Sequence, residues 1–442
     1  MLLSAVRTAR LFLAGLVAVA TIVSAPAPAT ASAPDSPGHT PVARTATASA
    51  TASVTRSQLC SGLAQRLRRG GSRTGLFVLN ASTGNVTCRA SARTRRLLAS
   101  NTKLYTSAAA LARFGRDDRI PTTLWARGTI ANGVLHGSLY LVGGGDPSLA
   151  SRAFADRFRG GLGANLFALA KRVTAAGITR VSGQLFADDT VFDRLRGVPD
   201  SGFATSPYIG PLSGLQFNSG FADSDASHFA SDPARVAAGK LVRSLRNRGV
   251  GISSRIGVRD LPQGSTRIGF VRSPRMARLV DWTNVNSDNL FAEMLLKRLG
   301  AEFGGRGSTR AGAAVSERFA RSHDSAVQQL DGSGLTAAGG ASPTQVGRLL
   351  AAMRATAVDA EFVESLPVAA REGTLADRMR GTAAAGRCRA KTGTLTGVSA
   401  LSGYCFNASG KVMVFSILMN GVGDLSRARL MQDQMAALIA RY

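Results

Sequence analysis

The chain has 442 residues, 45% of them hydrophobic, enough to bury a substantial core spread over two or three domains. Its formal charge of +27 suggests a polyanionic neighbourhood, whether nucleic acid, acidic lipid or an anionic cell wall. Scattered arginines, without a zinc-finger ligand pattern or an RNA-binding aromatic signature, argue against the first, and no nucleic-acid partner is expected.

Arg7 and Arg10 precede the apolar run Leu11–Ala25, and the small residues after it offer Ala-x-Ala cleavage sites at Ala29–Ala31 and Ala31–Ala33. This layout predicts a secretory signal peptide over residues 1–33 and an exported chain. The run is short for a spanning helix, which needs about 20 residues, although an uncleaved anchor stays open. Residues 34–54, rich in Pro, Ala, Ser and Thr, carry too little apolar surface to fold and read as a linker.

Beyond the linker, residues 55–71 pattern as an amphipathic helix and Thr74–Ser91 as a β-hairpin; Ser100–Ala112 reads as a helix whose first turn the serine caps. From Pro121 to Pro274 short strands alternate with Gly/Pro/Asp turns, with one clear helix at Asp232–Val250. Helices return from Ser273, notably Ser287–Gly300. Residues 389–420 read as three strands joined by tight turns, before a last helix that starts at Leu425. The fold class is therefore α+β and multi-domain. Residues 55–120 and 274–442 form one discontinuous domain, a sheet flanked by helices, and 121–273 is a β-rich insertion.

Four cysteines in an exported chain predict two disulfides, with three pairings open. Cys388 and Cys405 are symmetric about the turn near Leu395–Val398, which favours a bridge between adjacent strands and leaves Cys60 to Cys88.

Of the 54 basic residues only six are lysines, and one of them, Lys103, falls three positions after Ser100. On a helix the two side chains share a face. An amine can lose its proton and then accept that of a serine, which arginine cannot. Alone, the pair reads rather as an ordinary exposed helix lysine below a capping serine, because chance SxxK matches are common. Two further motifs change this reading: Ser287-Asp288-Asn289 at a helix start and Lys391-Thr392-Gly393 in a strand. The patterns SxxK, SxN and KTG each occur once, in the order used by serine acyltransferases that react with penicillin. His39, His136, His228 and His323 form no triad or metal spacing, and Gly161–Leu166 is too weak a dinucleotide fingerprint to be more than a loop.

With these motifs the chain resembles the penicillin-binding D-alanyl-D-alanine carboxypeptidases/endopeptidases of the class C, low-molecular-mass kind (penicillin-binding protein 4 type). Leu141–Leu149, Pro207–Gly220, Leu330–Thr336 and Arg371–Met379 resemble segments of that family too, and the likeness spans roughly residues 57 to 442. Leu98 departs from it, since the family commonly has proline two residues before the nucleophile. The resemblance implies a β-lactamase/transpeptidase-like domain with its insertion between SxxK and SxN. It implies peptidoglycan stem peptides as substrate, acylation by β-lactams, and no metal or cofactor. Ser100 would be the nucleophile and Lys103 its base, with Lys391 as the second cation that depresses the Lys103 pKa. Ser287 would relay the proton and Asn289 orient the lysine. Thr392 and Thr394, flanking Gly393, would take the substrate carboxylate, and backbone N–H groups of Ser100 and Thr394 the oxyanion. No glutamate motif for deacylation is visible between SxxK and SxN, so penicillin should inhibit rather than be destroyed. The competing reading is a catalytically silent cell-wall-binding or sensor protein on the same fold.

Overall fold

The computed structural model describes residues 54–407 and 409–442; the expected signal peptide, and all of the linker but Val54, lie outside the described residues. Thr55 and Gln58 form a reciprocal capping box that starts α1 (Arg56–Arg69), whose Leu59, Leu63 and Leu67 recur every turn and are buried. A hairpin follows, β1 (Arg73–Asn80) and β2 (Val86–Ala90), then α2 (Thr102–Phe114). The middle of the chain holds β3 (Pro121–Ala131), β4 (Val134–Val142), α3 (Arg152–Arg159), α4 (Ala168–Ala175), β5 (Arg180–Val181) and β6 (Leu185–Asp188). It continues through α5 (Pro233–Arg246), β7 (Ile256–Val258) and β8 (Thr266–Arg272). The helices α6 (Met276–Val285), α7 (Asn289–Phe303), α8 (Thr309–Arg321), α9 (Pro343–Met353) and α10 (Asp359–Glu364) come next. Three strands, β9 (Cys388–Leu395), β10 (Val398–Phe406) and β11 (Val412–Asn420), lead into α11 (Leu425–Arg441).

Two sheets result. The first, ordered β2-β1-β11-β10-β9, is antiparallel throughout, and at its centre a strand from the start of the fold, β1, pairs with β11 from its end. The two-residue period of β1 divides its side chains between two cores. Leu76 and Val78 pack with α1 and α11 on one face, while Phe77 and Leu79 join α2, α7 and α9 on the other. β10, covered on both faces, is buried along all but its last residue.

The second sheet lies wholly within residues 121–272, in the order β7-β6-β4-β3-β8 with β5 beside β4. β3 is antiparallel to β4 and β8, whereas β4–β6 and β6–β7 are parallel. Parallel neighbours require crossovers, which α4 and α5 supply. This segment thus carries three helices rather than the single one read from sequence. The other two, α3 and α4, are eight residues each, too short for a helical period to emerge over a window of about 11–18 residues.

Two buried cations fasten this segment to α7. Lys297 Nζ lies 2.6 Å from Asp193 Oδ1 and 2.8 Å from the Leu195 carbonyl, and the Arg159 guanidinium stands 5.2 Å from the Phe291 ring centre. Disulfides join Cys60 to Cys88 and Cys388 to Cys405, the latter pair directly opposite each other on β9 and β10. Among the described residues, no helix is long and apolar enough to cross a membrane.

Candidate active site

Ser100 does not cap α2. It sits inside a 3-10 turn, Ala99–Asn101, and no side chain caps the helix that follows. The hydroxyl is engaged elsewhere: Lys103 Nζ lies 3.0 Å from Ser100 Oγ. Ala99 immediately before it has φ 47°, a left-handed conformation that costs a non-glycine residue about 1–3 kcal/mol and persists only where the surroundings impose it. Ser287, with φ 56°, is held in the same region. Strained backbone therefore flanks or carries both serines of the two motifs.

Lys103 is fully buried, and its amine has two further acceptors, Asn289 Oδ1 at 2.6 Å and the Ser333 carbonyl at 2.8 Å. Lys391, also fully buried, donates to Ser287 Oγ at 2.9 Å and to the Thr392 carbonyl at 3.1 Å. Asn101 Nδ2 donates to the Lys391 carbonyl at 2.9 Å, which ties the Ser100 turn to β9. Asn289 also donates from Nδ2 to the Tyr208 carbonyl at 3.0 Å, a contact that reaches into the 121–272 segment. The structure thus brings Ser100, Lys103 and Asn289 together in one hydrogen-bonded group and Ser287 with Lys391 in a second. Ser100, Ser287, Asn289 and Thr392–Thr394 line one cleft with a volume of about 880 Å³.

Burial dominates the electrostatics of both amines. Burial lowers the Lys103 amine to about 8, against the opposing pull of Glu293, Asp331 and Asp288. Burial, and then the charge of Lys103, push Lys391 well below the ordinary lysine value. Carboxylates around Lys103 favour its charged form, while the charges of the two buried amines oppose each other, so burial and mutual repulsion together favour loss of a proton from the pair.

Three contributors escaped the sequence reading. Glu293, buried on α7 one turn after Asn289, accepts from the Gly332 and Ser333 amides at 2.9 and 2.8 Å, and its carboxyl is raised by burial and by Asp331 to about 7. It thereby fixes the segment whose Ser333 carbonyl holds Lys103. Asp331 does the same one step on, accepting from Gly334 and Thr336 amides, each at 2.7 Å. Gly334, at φ 82°, has no room for a side chain, because an added Cβ would fall within 1.9 Å of the Ala99 carbonyl. A lone carboxylate at i+4 from Asn289, inside the apolar stretch Leu290–Leu296, is the signal that could have singled out Glu293.

Thr392 and Thr394 face the cleft with different commitments. Thr392 Oγ1 donates to Thr374 Oγ1 at 3.0 Å, and Thr394 Oγ1 accepts from Arg429 at 3.3 Å. Gly393 between them permits close approach: a Cβ there would lie 2.6 Å from the Leu98 carbonyl and 3.1 Å from the Ser100 amide. Both neighbours are backbone and cannot swing aside. Gly393→Ala is therefore expected to push β9 away from the Ser100 turn and slow the enzyme's peptide hydrolysis at least tenfold (about 1.4 kcal/mol) while the circular dichroism spectrum stays unchanged. Unaltered rates would show that the β9–Ser100 spacing does not matter.

The model of the D-Ala-D-Ala carboxypeptidase 3 (S13) family matches residues 56–231 and 221–442. The D-alanyl-D-alanine carboxypeptidase of Actinomadura sp. (strain R39) is 30% identical, over 84% of this chain and 82% of the relative. Carboxypeptidase DacB of Mycolicibacterium smegmatis is also 30% identical, over 96% of this chain and 90% of that one. In fold, penicillin binding protein 4 from Haemophilus influenzae is similar at a TM-score of 0.72 and 22% identity, covering 87% of this chain and 99% of its own. A family match running nearly the length of the described residues, with carboxypeptidases alike over most of theirs, identifies a member of the D-Ala-D-Ala carboxypeptidase 3 (S13) family, a serine-type D-Ala-D-Ala carboxypeptidase of the penicillin-binding kind.

Proposed function

We propose that this carboxypeptidase works through an acyl-enzyme on Ser100, formed with peptidoglycan stem peptides as substrate and with β-lactams as inhibitors. The observation that carries the reading is the set of acceptors around Lys103 Nζ. Two of the three, Asn289 Oδ1 and the Ser333 carbonyl, can only accept, so a neutral amine spends its two N–H groups on them and turns its lone pair to the one partner that can donate, Ser100. With a pKa of about 8, about a tenth of the amine is neutral at pH 7.

In the proposed sequence Ser100 Oγ bonds to the carbonyl carbon of the penultimate D-alanine as its proton passes to Lys103. Amides of Ser100 and Thr394 stabilise the oxyanion, the first at a helix start. The C–N bond then breaks, and the leaving amine takes, through Ser287, which Lys391 holds at 2.9 Å, the proton that the amine pair gained from Ser100. Water then attacks the ester carbon and gives a proton to the amine pair; the bond from that carbon to Ser100 Oγ breaks, Oγ takes the proton back from the pair, and the acyl group leaves as a carboxylic acid. The Haemophilus influenzae relative has also been solved in complex with a β-lactam, which supports the inhibitor half of the reading. The predicted signal peptide and the two disulfides favour an exported protein, and the charge of +27 would hold it to an anionic wall.

Intact protein mixed with benzylpenicillin should gain the full mass of the drug at Ser100 and keep it for longer than one turnover of the peptide substrate. Ser100→Ala should gain nothing. An adduct on another residue, or none on the wild type, would overturn the reading in favour of a silent wall-binding protein. Digestion of purified muropeptide monomers beside cross-linked dimers separates carboxypeptidase from endopeptidase action.

A further inference from the structure

The second sheet buries one face against α4 and α5 and turns the other outward. β3 alternates accordingly, with Leu124 and Ala126 buried and Thr123, Trp125 and Arg127 less so. The edge strand β8 breaks the alternation. Phe270 faces Thr123 and Gly269 faces Leu124, but Arg267, not Ile268, faces Trp125. Such a bulge re-aims the side chains on one side of it. Arg267, which strict alternation would send to the face opposite Phe270, therefore joins Phe270 and Arg272 on the outward face, while Ile268 packs inward.

Both guanidiniums stand against one ring. Arg272 Cζ lies 4.6 Å and Arg267 Cζ 5.6 Å from the Phe270 centre, and Arg267 is also 5.9 Å from that of Trp125. Both arginines are exposed, and neither makes an ion pair or a side-chain hydrogen bond among the described residues. A stacked guanidinium is held in place with its N–H edge still free to donate. The three residues line a groove of about 510 Å³ where the chain enters and leaves the 121–272 segment, and Arg119 adds a third guanidinium to it. Of the two aspartates in the groove, Asp117 is held by Arg275 at 3.1 Å, which leaves Asp118 alone against three arginines. None of the groove residues lines the active cleft.

We propose that this groove docks a second stretch of the peptidoglycan being cut, apart from the stem peptide in the cleft. Peptidoglycan alternates uncharged sugar rings with peptides that carry free carboxylates. Phe270 offers an apolar surface to a ring, and Arg267 and Arg272, before and after it on the strand, offer charged forks to the carboxylates. A bilayer surface fits less well, since Phe270 is the one exposed large apolar side chain lining the groove. Held at two points, the polymer stays near the cleft between cuts, and each new stem is met at a higher effective concentration. The proposal goes beyond the acyl-enzyme reading and gives the groove no step in it.

The test is retention of the full chain on insoluble peptidoglycan stripped of phosphate-bearing polymers, at physiological salt, where diffuse attraction is screened. Arg267→Gln with Arg272→Gln should raise the apparent Kd about tenfold, roughly the worth of one charged hydrogen bond. Phe270→Ala should raise it too. A control pair on α1 and α8, Arg68→Gln with Arg310→Gln, removes the same charge and should change it less than about twofold. Cleavage of a soluble peptide ending in D-Ala-D-Ala should stay within about twofold of wild type in every variant, which also shows that each has folded. Equal losses in the two pairs would mean net charge alone. A loss seen only on unstripped wall, or only on vesicles of anionic lipid, would mean another partner. Each of these overturns the proposal. A wild type that shows the expected retention yet cleaves no soluble peptide would overturn the hydrolase reading and leave the groove standing.

Discussion

Lys103→Arg is expected to lower the rate of acylation by benzylpenicillin by about 10²–10⁴-fold, the usual cost of removing a general base. Charge and helix propensity are both kept, so the loss isolates the proton. The pH profile sharpens the test. A base must be neutral to act, and burial places the Lys103 pKa near 8, so the wild-type rate should climb as pH rises through about 8 and then level. The arginine variant should show no such climb, since its guanidinium does not titrate in that range. Stopped-flow acylation between pH 6 and 10 reads both effects. A near-normal rate in Lys103→Arg would reduce Lys103 to a structural cation.

Glu293→Gln should act at a distance through two routes with opposite signs. Glutamine offers one oxygen where Gly332 and Ser333 need two, and its NH₂ group would face an amide donor. Leaving a buried donor unmet costs about 1–3 kcal/mol of stability, which thermal unfolding will register, and the Ser333 carbonyl loses its fixed place beside Lys103. The maximum rate should fall accordingly. Meanwhile Glu293 is the largest of the charges that raise the Lys103 pKa, so removing it lets that pKa drop. The acid limb of the pH profile should therefore move to lower pH even as its plateau falls. A purely structural defect would lower the plateau and leave the limb in place.

The ends of the chain were more legible than its middle. β9 and β10 announce themselves because Cys388 and Cys405 stand symmetrically about the short turn that separates the two strands. The motifs were legible for another reason: Lys103 and Lys391 are rare lysines in a chain that otherwise writes arginine. What the sequence hid was whatever depends on folding partners. The second sheet's parallel pairs cannot be inferred from short strands and eight-residue helices. Whether Ser100 caps a helix or faces an amine is settled by the left-handed turn at Ala99, which alanine does not advertise. That Glu293 and Asp331 converge on Lys103 is likewise hidden, because nothing local to either carboxylate names the amine it faces.

The placing of β1 against β11 has a consequence in time. β1 ends at Asn80 and its partner begins at Val412. At a synthesis rate of about 5–20 residues per second, the ribosome keeps that neighbour from β1 for roughly 15–70 s. Throughout that interval an apolar hairpin offers an open edge, the template on which nascent chains aggregate. The same schedule withholds reactivity. Ser100 and Lys103 are made early, but the strand bearing Lys391 and Thr394 emerges among the last residues, and Arg429 later still. A copy released before β9 would hold a serine and an amine with no cleft around them, inert toward every bond the finished chain cleaves.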